Sequence, residues 1–148
     1  MYSNLSVLIV VGDFYKEISQ MLIEGATAKL KSASSAIKQE IIRVPGSFEI
    51  PPALSFAIMS DRESYDGYIA LGCIIKGATQ HNEHISRAIY SSISEIATHH
   101  AVPVGTGIIT ADNGEEAMKR ASPTDLDYGG RAASAMLRMI ELYKRFLG

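Results

Sequence analysis

The stretch LSVLIVVG at residues 5–12 is a nearly continuous aliphatic run that ends at a glycine. Such a run is typical of a central parallel strand, because helices cover both faces of that strand and no face is left for polar residues. Three further strand-like runs follow along the chain, at residues 36–44, 68–75 and 104–110. Four strands separated by helix-length segments predict an α/β domain with a parallel sheet.

The segments between the strands have the periodicity of helices. Apolar residues recur at about every fourth position in the longer of them, and the predicted helices cover residues 15–31, 82–99, 115–120 and 130–146. Pro51 and Pro52 can open a further helix, because the first turn of a helix tolerates missing N–H groups. Neither a linker nor a repeat interrupts the chain, so residues 1–148 are predicted to form a single domain.

The composition is that of a globular protein. Of the 148 residues, 47% are hydrophobic and 20% are charged, close to the average for folded domains. The formal net charge is −2, and no cluster of Lys and Arg is dense enough to neutralise a run of phosphates. Nucleic acid is therefore not an expected partner.

The single cysteine and the N-terminal sequence predict a cytoplasmic location. Cys73 is the only cysteine and lies inside an apolar run, so it cannot form an intrachain disulfide and a reducing compartment fits. The apolar run at residues 7–11 is too short to span a membrane, and it lacks the basic flank and cleavage site of a signal peptide. We expect a cytoplasmic protein without a membrane partner.

Unusual residues gather where the predicted strands end. Ligands of open parallel sheets bind at the carboxyl ends of the strands, where loops and helix N-termini converge. The segments that follow the four strands are residues 12–14, 45–49, 76–81 and 111–113. We therefore expect the functional site at this edge of the sheet.

The segment KGATQH at residues 76–81 joins the third strand to a helix. Its N–H groups, the Thr79 hydroxyl and the helix dipole could hold a phosphate, although the same pattern also occurs as a plain capped turn. His81 could move protons beside that phosphate, or it could be a solvent-facing histidine of the first turn. His81 and His84 without a third ligand are weak evidence for a metal, and none is predicted.

Two residues outside that segment could complete a site. Phe14 could stack on a planar heterocycle, although a lone Phe beside a strand is more often part of the core. Arg120 could bind a phosphate bidentately, or it could be a cation that stabilises the end of a short helix. Together these residues favour acid–base chemistry on a phosphate-bearing small molecule, without metal or organic cofactor.

The ordered motifs of this chain resemble those of the lumazine synthase family. They are VVGDF at residues 10–14, VPGSFEIP at 44–51, LGCIIKGATQHNEHI at 71–85, VPVGTGIITADN at 102–113 and EEAMKRA at 115–121. The resemblance covers nearly the whole chain and implies a flavodoxin-like three-layer sandwich with a four-stranded parallel sheet. It also implies the condensation of 5-amino-6-(D-ribitylamino)uracil with 3,4-dihydroxy-2-butanone 4-phosphate to 6,7-dimethyl-8-ribityllumazine, phosphate and water, without a cofactor.

The resemblance also implies roles for individual residues. The pyrimidine ring and its ribityl chain would be held by Phe14, Ser47, Phe48, Glu49, Cys73, Ile74 and Ile75, the last three through their backbone. The phosphate would lie against Ala78, Thr79 and Arg120, and His81 would transfer protons. Thr106, another expected substrate-binding residue, stands where several members carry an aromatic ring, and Tyr128 stands where many place a lysine.

The resemblance further implies a homo-oligomer whose active sites form between neighbouring subunits. Phe14, Phe48 and His81 would come from one chain and Arg120 from the next, in a pentamer or a multiple of it. Three alternatives remain open on the sequence: a non-catalytic subunit that binds a lumazine or flavin, a riboflavin synthase of the archaeal type with the same fold, and a structural shell protein.

Overall fold

The structure, a computed structural model, describes residues 2–76 and 81–148, and for His81 and Asn82 it describes the backbone alone. Within these residues the chain forms four strands and five α-helices. The strands are β1 (Ser6–Gly12), β2 (Lys38–Val44), β3 (Gly67–Ile75) and β4 (Val104–Ala111). The helices are α1 (Lys16–Ala33), α2 (Ile50–Met59), α3 (His81–His100), α4 (Gly114–Ala121) and α5 (Tyr128–Phe146), with a 3₁₀ turn at Ser47–Glu49 before α2.

The four described strands form one parallel sheet in the order β2-β1-β3-β4. Because all of them run in the same direction, their carboxyl ends meet at one edge. β1 and β3 are central and almost wholly buried, whereas most of β2 is exposed at the sheet margin. The predicted parallel sheet is confirmed, and the strand bounds differ from the predicted ones by one or two residues.

Helices cover both faces of the sheet and give a three-layer α/β sandwich. Alternate residues of β1 point to opposite faces, since successive side chains of a strand do so. Ile9 belongs to a core shared with α1, α4 and α5, whereas Val10 belongs to a second core shared with α2 and α3. This explains why residues 5–11 are aliphatic at nearly every position. In the described part of the chain, no helix is long and apolar enough to cross a membrane.

Helix α5 packs so closely on β4 that a side chain has no room at Gly105. A Cβ atom there would lie 1.9 Å from the carbonyl oxygen of Ala132 and 3.0 Å from Cβ of Met136. The first neighbour is backbone and cannot rotate away. Gly105→Ala is therefore expected to lower the free energy of unfolding by about 3 kcal/mol, measured by urea denaturation.

Gly114 provides the matched control for this prediction. It is the first residue of α4, and a Cβ atom there would meet nothing within 4 Å. Gly114→Ala should leave the free energy of unfolding unchanged or raise it by about 0.5 kcal/mol, because alanine restricts the unfolded chain. Equal effects of the two substitutions would contradict the close approach of α5 to β4.

Candidate functional site

The ends of β1 and β2 are held together by a backbone contact between their loops. The N–H of Asp13 donates to the carbonyl of Val44 at 2.9 Å. A Cβ atom on Gly12 would lie 2.8 Å from both the carbonyl carbon of Gly46 and the nitrogen of Ser47, so glycine is needed for this approach. The loops that carry Phe14 and Phe48 therefore leave the sheet side by side.

Phe14 and Phe48 are exposed aromatic side chains at this edge. They are 72% and 67% exposed, so the interpretation of Phe14 as a core residue is wrong. Phe14 stands edge-on to Tyr15, with 4.9 Å between the ring centroids. Removing large apolar side chains from water is energetically favourable. Two exposed rings beside strand ends therefore indicate a surface that binds a planar, partly apolar ligand.

The turn at Ser47–Glu49 packs on the middle of the sheet. Ser47 is buried against Gly72 of β3, where a Cβ atom would lie 2.5 Å from the Ser47 hydroxyl oxygen. This hydroxyl is buried and has no hydrogen-bond partner among the described residues. Glu49, by contrast, is half-buried beside Gly46. The structure thus presents Phe48 and part of Glu49 outward and turns the Ser47 side chain inward.

The last residues of β3, namely Cys73, Ile74 and Ile75, lie beyond the point where its pairing with β1 ends. β1 pairs with β3 up to Val11 and Leu71, whereas β3 pairs with β4 up to Ile75 and Ala111. The β3 backbone therefore extends past the end of the β1 ladder at the carboxyl edge of the sheet. This geometry suits a ligand that is recognised by main-chain groups.

The side chains at this strand end are not suited to chemistry of their own. Cys73 packs in the core on one face and Ile74 in the core on the other. Burial raises the pKa of the Cys73 thiol to about 12, so this thiol is protonated at neutral pH and is a poor nucleophile.

An open charged cleft of about 400 Å³ lies between the start of α3 and the end of β4. Its wall contains three cations and three carboxylates, namely Lys76, Arg87, Arg120, Glu83, Asp112 and Glu116. The cleft is polar, and its charges balance when it holds no ligand. An entering anion therefore has to compete with carboxylates that are already present.

Lys76 links the two sides of this cleft. Its N–H donates to the carbonyl of Ala111 at 2.8 Å, and its Nζ lies 3.2 Å from Oε1 of Glu83 and 3.5 Å from Oδ1 of Asp112. The hydrogen bond to Glu83, followed by the charge of the same carboxylate, raises the pKa of Lys76. The ammonium group is therefore charged at neutral pH, and it links the first turn of α3 to the residue after β4.

Arg120 lies in the last turn of α4 and is half-buried in the same cleft. Its Nη1 lies 3.6 Å from Oε2 of Glu116 and donates to the Glu116 carbonyl at 3.2 Å. Asn113 precedes α4 as its N-cap, and its side chain accepts a hydrogen bond from the N–H of Glu116 at 2.9 Å. The guanidinium group is thus held at the β4 side of the sheet edge.

The remaining predicted site residues have different outcomes. Ala78 and Thr79 lie outside the described residues, and so does the side chain of His81, whose backbone opens α3. Thr106 is exposed and pairs with Ala70, five residues before the end of β4. At about 3.3 Å per residue this is roughly 16 Å from the carboxyl edge, so Thr106 is not part of the cluster within one subunit.

Tyr128, noted from the sequence, begins α5 and is half-buried. The guanidinium carbon of Arg131 lies 5.5 Å from the centre of its ring. A cation is therefore present near this position, although it belongs to another residue.

Sequence reasoning missed the carboxylates of the cleft. Glu83, Asp112 and Glu116 were given no role, although Glu116 had a detectable signal. It follows the capping residue Asn113 by three positions and precedes Arg120 by four, and these spacings predict a capping contact and an ion pair.

The comparisons with known proteins agree on one family. The family model described as 6,7-dimethyl-8-ribityllumazine synthase matches residues 4–144. A 6,7-dimethyl-8-ribityllumazine synthase of Bartonella tribocorum is 43% identical to this chain, and the match covers 95% of this chain and 91% of the length of that synthase. Synthases of the same name from Bartonella henselae and Bartonella bacilliformis are 41% and 40% identical, over 97% and 99% of this chain and 91% and 95% of theirs.

Proposed function

This chain belongs to the 6,7-dimethyl-8-ribityllumazine synthase family and is an enzyme of riboflavin biosynthesis, and from this premise we propose the reaction that it catalyses. It condenses 5-amino-6-(D-ribitylamino)uracil with 3,4-dihydroxy-2-butanone 4-phosphate. The products are 6,7-dimethyl-8-ribityllumazine, inorganic phosphate and water. The enzyme works in the cytoplasm and requires no cofactor.

The observation that carries this proposal is the pair of exposed aromatic rings at the carboxyl edge of the sheet. Phe14 stacks on the pyrimidine, and Phe48 and Glu49 hold the ring and its ribityl chain. The backbone from Cys73 to Ile75 reads the polar edge of the ring. The exposure of Phe14 and Phe48 and the extension of β3 past β1 both support this placement.

The phosphate of the second substrate binds at the charged edge of the site. Arg120 supplies a planar guanidinium that can grip two phosphate oxygens. The segment with Ala78 and Thr79 supplies N–H groups, and the N-terminus of α3 adds the favourable end of the helix dipole. The ion pairs of Lys76 with Glu83 and Asp112 at 3.2 and 3.5 Å support a charged site at this edge, since they link the first turn of α3 to the end of β4.

His81 relays protons in the reaction. The amine attacks the ketone, water leaves to form an imine, phosphate is eliminated, and the ring closes with a second loss of water. Each of these steps moves a proton, and an imidazole has a suitable pKa near neutrality. Holding the two substrates in register supplies much of the remaining acceleration. The position of His81 at the first turn of α3, directly after the proposed phosphate-binding segment in the sequence, supports this role.

The active site is shared between neighbouring subunits of a pentamer or of a multiple of it. β1 and β4 have β3 between them, which separates them by about 10 Å at 4.8 Å per strand. Phe14 follows β1, whereas Arg120 belongs to the helix after β4, so the exposed ring and the guanidinium occupy different parts of the sheet edge in one chain. A head-to-tail ring would bring the Phe14, Phe48 and His81 side of one copy to the Arg120 side of the next.

Two separate apolar surfaces on the subunit support a ring of this type. Phe56 and Met59 of α2 are 75% and 73% exposed. A second surface, formed by Met139, Phe146 and Leu147 at the end of α5, belongs to the helix that packs on β4. Large exposed apolar patches mark interaction sites, and two different patches fit a heterologous contact that closes into a ring.

A two-substrate assay tests the proposed reaction. The assembled protein is mixed with both substrates, and lumazine absorbance and released phosphate are followed together. Equal amounts of lumazine and phosphate are expected. Tight lumazine binding without turnover would instead indicate a binding subunit, and riboflavin formed from lumazine alone would indicate a riboflavin synthase.

A further inference from the structure

The guanidinium of Arg120 already has an anionic partner within its own helix. Its Nη1 lies 3.6 Å from Oε2 of Glu116 and also donates to the Glu116 carbonyl at 3.2 Å. Residues four apart on a helix lie on the same face, so this contact is built into α4. A phosphate that binds Arg120 must share the guanidinium with the Glu116 carboxylate or displace it.

The Glu116 carboxylate is itself held in place. The N–H of Glu116 donates to the side chain of Asn113 at 2.9 Å, and Oε2 of Glu116 accepts from the N–H of Asp112 at 3.4 Å. This reciprocal arrangement resembles a capping box, and it keeps the negative charge at the favourable end of the helix dipole. The carboxylate is thus tethered beside Arg120 instead of being free to swing into solvent.

We infer that Glu116 is a positioning residue that orients Arg120 and weakens the affinity of the site for phosphate. This inference rests on the proposed role of Arg120 in phosphate binding. Glu116 competes with the phosphate for one guanidinium and returns to it when the phosphate leaves. A moderate affinity suits a reaction that releases inorganic phosphate, because a site that retains this product slows turnover.

Glu116→Gln tests this inference in the assembled protein. Glutamine has the same length and can still accept the hydrogen bond from Asp112, so the substitution removes the charge and keeps the cap. The inhibition constant of inorganic phosphate is expected to fall about two- to five-fold, as is usual when a partly exposed ion pair is lost. The KM for the butanone phosphate should fall by a similar factor, whereas the KM for the pyrimidine should not change.

Glu115→Gln is the matched control. Glu115 precedes Glu116 in the same turn, is exposed, and makes no ion pair with Arg120 in the described structure. The control removes the same charge from the same end of α4, so it corrects for the helix dipole. A phosphate inhibition constant that is unchanged in Glu116→Gln, or lowered equally in Glu115→Gln, would overturn the inference.

A double-mutant cycle separates this inference from the proposed function. If Glu116 acts through Arg120, the effect of Glu116→Gln must vanish in an Arg120→Gln background. An effect of the same size in that background would overturn the inference and leave the role of Arg120 intact. If Arg120→Gln alone leaves phosphate inhibition unchanged, the proposed phosphate site itself is wrong.

Discussion

His81→Ala is expected to lower kcat by about ten- to a thousand-fold without abolishing the reaction. General acid–base catalysis usually contributes about two to four orders of magnitude, and we expect a loss at or below the lower part of this range because the alignment of the two substrates persists in the variant. The remaining activity should lose the pH dependence that an imidazole near neutrality imposes. Steady-state rates of lumazine formation from pH 5 to 9 measure both effects.

His84→Ala is the control for this prediction. His84 lies three residues further along α3 and is exposed, so the substitution removes a second imidazole from the same helix. We expect kcat within about two-fold of the unmodified enzyme, as for most exposed positions. An unchanged kcat in His81→Ala would remove His81 from the mechanism, and an equal loss in both variants would point to damage to α3.

Arg120→Gln is expected to raise the KM for the butanone phosphate by about ten- to a hundred-fold. A charge-assisted bidentate pair contributes about 1.5–3 kcal/mol, which corresponds to this range of affinity. The KM for the pyrimidine should change much less, because Phe14, Phe48 and the end of β3 form a separate part of the site. Initial rates with each substrate varied in turn measure the difference.

Lys119→Gln controls for the loss of a positive charge from α4. Lys119 is adjacent to Arg120 and exposed, and its substitution changes the net charge equally. Its KM for the butanone phosphate should stay within about two-fold of the unmodified enzyme. A similar rise of KM in both variants would mean that long-range attraction, and not a direct contact, explains the effect of Arg120.

Mixing the two weakened variants tests the shared site. In a ring where one chain supplies His81 and the next supplies Arg120, an intact site forms wherever an Arg120→Gln chain precedes a His81→Ala chain. Random reassembly of equal amounts should restore about a quarter of the sites. Dissociation, mixing and reassembly of the purified variants provide the measurement. Activity that stays at the average of the two variants would show that each site lies within one chain.

Local sequence patterns were sufficient to predict where much of the candidate site lies. The residues after the four strands had to gather at one edge, because parallel strands end on the same side of a sheet. For this reason residues 12–14, 45–49 and 111–113 do lie around the ends of the strands. The exposure of Phe14 was not predictable in this way, since a phenylalanine beside a strand is more often buried, and only the structure shows that this side chain lies outside the core.

The ion pairs of the site depend on distances that no local pattern contains. Lys76 follows β3, whereas its partner Asp112 follows β4, and these two residues meet because β3 and β4 are neighbours in the sheet. The position of Thr106 is decided in the same way. Its register with Ala70 places it well below the carboxyl edge, although the motif in which it stands continues directly to that edge.

The sequence by itself determined the parallel α/β sandwich, the family and the edge of the sheet at which the candidate site residues gather. Aliphatic runs, helical spacing and ordered motifs are local properties, so they can be recognised in the sequence without knowledge of the folded structure. Only the tertiary structure decided which charges meet in the cleft and that the Glu116 carboxylate pairs with the Arg120 guanidinium. Strand order and register decide these features, because they bring together residues that lie far apart along the chain.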